Sequence, residues 1–76
     1  DLTPKEFDLL AYLAGDPGAA LTRRNILEEV WDANWYGSAK TLDVHVASLR
    51  KKLGHPEWIQ AVRGVGFRLV TDAEQP

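Results

Sequence analysis

Seventy-six residues with no cysteine, 45% hydrophobic content and a formal net charge of −2 describe one small acidic domain that no disulfide staples. A chain of this length buries only about 60% of its unfolded surface, so its stability must rest on one modest core. No stretch nears the roughly 18 apolar residues of a membrane span, no signal-peptide pattern opens the chain and no zinc-ligand spacing occurs, which argues against membrane, secreted and metal-stapled classes and for the cytoplasm.

The first element starts at Leu2-Thr3-Pro4-Lys5-Glu6-Phe7. Thr3 is placed as N-cap, Pro4 at the first helical position and Glu6 at the third, completing a capping box, with Leu2 and Phe7 as its hydrophobic staple. The spacing predicts an inward face of Phe7, Leu10, Leu13 and Ala14, and Gly15-Asp16-Pro17-Gly18 ends the helix. Residues 19–21 form a short apolar link with room for a single rung of strand. Thr22 caps a second helix over 23–31, with Leu21 and Ile26 in staple positions and Ile26, Leu27, Val30 and Trp31 facing inward. Residues 32–37 read as a loop. Its Trp35 and Tyr36 have two readings: they fold back onto the core, or they present a contact surface to another protein.

Ser38 is the expected N-cap of a third helix over 39–53. Leu42, Val46, Leu49 and Leu53 give it a buried stripe. At about 100° per residue, Lys40, Thr41, Val44, His45, Ala47, Ser48, Lys51 and Lys52 turn to the other side. Asp43 lies at the stripe edge, where an arginine such as Arg50 or Arg68 would pair with it. Gly54 is the C-cap glycine, and Lys51 and Lys52 suit the negative end of the helix dipole. Two β-rich runs, 58–62 and 67–70, are joined through Arg63-Gly64-Val65-Gly66 as a hairpin whose glycines supply positive φ, and residues 71–76 read as a disordered tail. The order predicts an α+β chain forming a single domain: a winged helix-turn-helix with a three-helix core and a C-terminal hairpin wing, residues 19–21 being available as a third strand.

The charge is divided unevenly along the chain. Residues 1–37 carry three Lys/Arg against seven Asp/Glu, a net −4, whereas residues 38–70 carry six against two, a net +4. Binding follows local potential, so a polyanionic partner remains open despite the acidic total. A phosphate-cradling reading of Gly64-Val65-Gly66 fails on context, because a helix must open after the glycines and here a strand follows. Ser48 and His45 stand three apart, but Asp43 points elsewhere and no third group orients them, so no enzyme is expected. His45 and His55 lack companions at ligand spacing, and neither metal nor cofactor is implied. The slim, basic face of the third helix suits the major groove of duplex DNA, with Val44 or Ala47 able to touch a thymine methyl and a hairpin arginine to enter the minor groove. The rival is a protein-interaction module built on Trp35 and Tyr36, for which the +4 of residues 38–70 would have no use.

Taken together, LTPKEFDLLAYL, TRRNILEEVW, KTLDVHVASLRKKLG and IQAVRGVGFRL resemble the C-terminal effector domain of OmpR/PhoB-type response regulators, over roughly residues 2–70. The resemblance implies DNA contacts from Lys40, Thr41, Val44, His45, Ala47, Ser48 and Arg50 on a recognition helix, from Arg63 and Gly64 on the wing, and from Trp31 at the end of the second helix, to which the basic face of the third helix adds Lys51 and Lys52. It further implies an RNA polymerase contact loop at Asn34, Trp35 and Tyr36, a receiver domain elsewhere in the full-length chain and a homodimer on DNA. Ala47 and Ser48 depart from the arginines often found at these positions, which implies lighter or different base readout. The four-stranded sheet that precedes the first helix in such domains has no counterpart here, which implies a domain shortened at its N-terminus.

Overall fold

Threonine caps set where the first two helices begin. A computed structural model of the chain describes residues 1–71, so of the expected tail only Thr71 is included, and the rest of it lies outside the described residues. Helix α1 runs Pro4–Ala14, with the Thr3 hydroxyl accepting from the Glu6 N–H at 3.2 Å and the Glu6 carboxylate accepting from the Thr3 N–H at 2.8 Å. Strand β1 is Leu21–Thr22, and Thr22 also caps helix α2, Arg23–Val30, by accepting from the Asn25 N–H at 3.0 Å. Helix α3 spans Lys40–Leu53 and closes on Gly54, whose φ of +74° satisfies the left-handed C-cap. A 3₁₀ turn at Pro56–Trp58 leads into β2, Ile59–Val62, and β3, Gly66–Leu69. The sheet is antiparallel in the order β1-β3-β2, with Leu21 opposite Phe67 and Ala61 opposite Phe67 on the other side. Among the described residues no helix is long and apolar enough to cross a membrane.

One core unites all of these elements: Leu9 and Leu13 from α1, Ile26, Leu27 and Val30 from α2, Leu42, Val46 and Leu49 from α3, and Ile59, Phe67 and Leu69 from the sheet. Three local expectations are corrected. The inward face of α1 is Glu6, Leu9 and Leu13, while Phe7 is 60% exposed and Ala14 is also exposed, because α3 packs on the flank of Glu6 rather than on that of Phe7. The N-cap of α3 is Ala39 with no side-chain cap. Ser38 lies one residue earlier, and its hydroxyl accepts from the Lys40 N–H at 3.1 Å. The third strand sits at 21–22 rather than 19–21.

The two hairpin glycines do different work. The Val65 N–H donates to the Val62 carbonyl at 2.9 Å, and Gly64, with φ of +78°, takes the position of a type II turn that requires positive φ. Gly66 has no positive φ; a Cβ there would lie 2.0 Å from the Leu21 carbonyl oxygen, so its role is to let β1 approach the wing. Gly64→Ala should cost about 1–2 kcal/mol of left-handed backbone strain. Gly66→Ala should cost distinctly more, because β1 must separate from β3. Urea unfolding of the two variants checks this, and equal losses would contradict it.

Candidate nucleic-acid interface

Helix α3 is held on two flanks, and those flanks decide which of its side chains face outward. On the first, the Ser48 hydroxyl donates to Glu6 Oε2 at 2.5 Å and Lys52 Nζ donates to Glu6 Oε1 at 2.8 Å. Glu6 is only 4% exposed, and a carboxylate there is tolerable because each oxygen has partners. The hydrogen bonds from Lys52, then Ser48, then the Thr3 N–H hold its pKa down to about 2, against the ordinary 4.5. Further up the same flank, His45 packs edge-on against Trp31, ring centroids 4.9 Å apart, and donates from Nδ1 to the Thr41 carbonyl at 2.7 Å. Trp31 in turn meets Trp35 at 6.2 Å and lies under the Lys5 ammonium, which also donates to the Val30 carbonyl at 2.9 Å.

The second flank is built from arginines. Arg50 donates to the Ile59 carbonyl from Nε at 2.9 Å and from Nη2 at 2.6 Å. Arg23 Nη2 binds Asp43 Oδ1 at 2.8 Å and the Ala39 carbonyl at 3.3 Å, while its backbone N–H donates to the Val65 carbonyl at 3.2 Å. Both guanidinium groups sit within cation–π distance of Phe67, at 5.5 Å for Arg23 and 5.8 Å for Arg50. The partner of Asp43 is therefore Arg23, not Arg50 or Arg68: Arg50 is turned to the β2 backbone, and Arg68 Nε donates to Gln60 Oε1 at 2.8 Å across the hairpin.

Lys40, Val44, Ala47 and Lys51 are what remains. They repeat the 4, 3, 4 spacing of Leu42, Val46, Leu49 and Leu53 two residues out of phase, on the opposite side of the helix. All four are exposed, Val44 to 64%. Ser48 and Lys52, which the wheel put on the open side, are turned onto α1, and Thr41 and His45 are half-buried beside them. At the wing, Arg63 and Gly64 are exposed, above a hollow lined by Arg23, Val62, Val65 and Phe67. Because Arg23 bonds to Val65 through its backbone and to Ala39 and Asp43 through its side chain, the wing turn lies within one arginine's reach of the first turn of α3. In the loop, the Asn34 N–H donates to Asp32 Oδ1 at 3.0 Å, Trp35 packs against the core with its Nε1 buried and unpaired, and Tyr36 is 92% exposed. The two readings of these aromatics thus divide: Trp35 folds inward, Tyr36 outward. Glu6 and Arg23 were missed as organising residues. The capping box pointed to Glu6 only as a local cap, and nothing near Arg23 in the chain signals partners 16 and 20 residues away.

A family model described as "Transcriptional regulatory protein, C terminal" matches residues 1–69. The chain belongs to this family. A curated relative, the uncharacterized transcriptional regulatory protein YclJ of Bacillus subtilis, is 45% identical over 74 residues, covering 95% of this chain and 33% of YclJ. The chain thus spans about a third of that relative's length. Among solved structures, the DNA-binding domain of Bacillus subtilis CssR superposes with a TM-score of 0.81 at 36% identity, over 91% of this chain and 77% of that one. The Klebsiella pneumoniae RstA DNA-binding domain, crystallised with the RstA box, gives 0.80 at 30% identity, over 92% and 73%. The three-helix, hairpin-winged architecture of this transcriptional regulatory C-terminal domain is the one those structures share.

Glu6 gives the domain an acid-sensitive clamp. Its folded pKa is lowered, so its stabilisation is fully present above the ordinary 4.5 and is lost as pH falls toward about 2. Glu6→Gln should lower the melting temperature at neutral pH and flatten the decline between pH 4.5 and 2 relative to the parent. Melting curves across that range check this, and parallel pH profiles for the two proteins would contradict it.

Proposed function

We propose that this domain binds duplex DNA as the output element of a two-component transcription regulator, acting by binding and not by catalysis, in the bacterial cytoplasm. Helix α3 enters the major groove with Lys40, Val44, Ala47 and Lys51 outermost and Thr41 beside them, while Arg63 and Gly64 follow the adjacent backbone or minor groove. Trp31, His45, Ser48, Arg50 and Lys52, already engaged within the fold, position that face, and any contact they make with phosphates is secondary. The observation that carries the reading is the outward stripe, bounded by lysines at both ends and joined to an arginine-bearing wing through Arg23. Family membership supports it, as does the likeness to the CssR and RstA DNA-binding domains.

The full-length protein is proposed to carry a receiver domain and to dimerise on DNA, doubling the contacts of one half-site. The loop of Asn34, Trp35 and Tyr36 is proposed to meet RNA polymerase, with Trp35 as the packed base and Tyr36 as the exposed contact.

Counterion release by Lys40, Lys51 and Arg63 predicts that duplex affinity falls with salt with a log–log slope of about −3. Arg63→Ala should weaken binding by about 1–3 kcal/mol and reduce that slope by about 1, with the circular dichroism spectrum unchanged. Passage through heparin and random duplex at low salt, without retention, would instead favour a protein-interaction module anchored on Tyr36.

A further inference from the structure

Apart from Thr41 and the two outward lysines, the polar side chains of α3 are already committed. Ser48 and Lys52 are held by Glu6, Arg50 by the Ile59 carbonyl, Asp43 by Arg23, and the His45 Nδ1 by the Thr41 carbonyl. Lys40 and Lys51 stand eleven residues apart on the outward stripe, about 16 Å along the axis, so they reach phosphates at the two edges of a groove rather than its floor. Between them the stripe holds only Val44, 64% exposed, and Ala47. An exposed valine and alanine flanked by two cations form an apolar strip centred in a positive frame. In the major groove the one apolar group a base pair offers is the C5-methyl of thymine.

We propose that this domain reads its site chiefly through thymine methyl groups packed against Val44 and Ala47, with the lysines fixing register on the backbone and few direct hydrogen bonds to base edges. This rests on the DNA-binding reading above and goes further by naming what is recognised: a half-site with thymines at its centre. Cytosine and guanine edges at the same depth would leave their donors and acceptors facing methyl groups, and the lost hydration would select against them. Specificity is accordingly a matter of methyl placement.

The test selects bound duplexes from a random library with the 76-residue chain, then replaces each thymidine of the enriched site by deoxyuridine, which removes the methyl and nothing else. Fluorescence anisotropy at fixed low salt should show an affinity loss of about fourfold at one or two central positions, the size of one buried methyl group. Val44→Ala or Ala47→Gly should shrink that penalty while binding persists. Uracil tolerated at every position, a selected site without central thymines, or a penalty unchanged in both variants would overturn the methyl reading while leaving DNA binding intact. Failure to retain any duplex would overturn the DNA-binding reading itself.

Discussion

Arg23 holds three elements at once. Its backbone N–H closes on the wing turn at Val65, its guanidinium bonds to Ala39 and Asp43 at the start of α3, and the same group lies over Phe67 in β3. Individually these are modest interactions; an exposed ion pair or cation–π contact contributes about 1 kcal/mol or less. Their value is geometric. They converge on a single residue, and Arg50 repeats the arrangement from the far end of α3 by binding the Ile59 carbonyl and the same Phe67 ring. The hairpin is thereby fixed to the helix at two points, and a ribbon of two four-residue strands acquires a defined direction.

On the opposite flank a buried carboxylate performs the matching task. Glu6 begins as part of a helix cap and ends as the acceptor for Ser48 and Lys52, 42 and 46 residues later. Such a group is costly to bury unless fully satisfied, and here three donors surround it. The combined effect of the two flanks is subtractive. Ser48, Lys52, Arg50 and Asp43 are drawn into structural bonds, although Lys52 and Asp43 stay exposed, and the exposed side chains of α3 left without such a bond form a narrow line of two lysines around two small apolar residues. The face proposed to read DNA is in this sense a by-product of how α3 is anchored.

The parts of the fold that depend on short-range chemistry were legible in the sequence. Thr3 and Thr22 announced both helix starts, Leu42, Val46 and Leu49 announced the buried stripe, and Gly54 announced the end of α3, because capping and periodicity act within a few residues. What could not be read was which neighbour covers each flank of a helix. The wheel separated inside from outside on α3 but could not tell that α1 would claim Ser48 and Lys52. The same blindness placed Phe7 inside and passed over Glu6, since an isolated carboxylate is not counted as core until its partners are known. Ser38 was displaced by one residue for a smaller reason: its hydroxyl binds the Lys40 N–H from just before the cap. The wing was legible as a hairpin, but the separate duties of Gly64 and Gly66 were not, because the close approach of Leu21 comes from a strand more than 40 residues earlier.

Through Arg23, α3 and the wing form one rigid surface. The chain has no cysteine, so nitroxide labels can be introduced cleanly at Ala47 and Val65, both exposed. The distance distribution between them, recorded without DNA, should be single and narrow in the parent chain and should broaden markedly in Arg23→Ala while α3 stays helical. Equal widths in the two proteins would contradict the account.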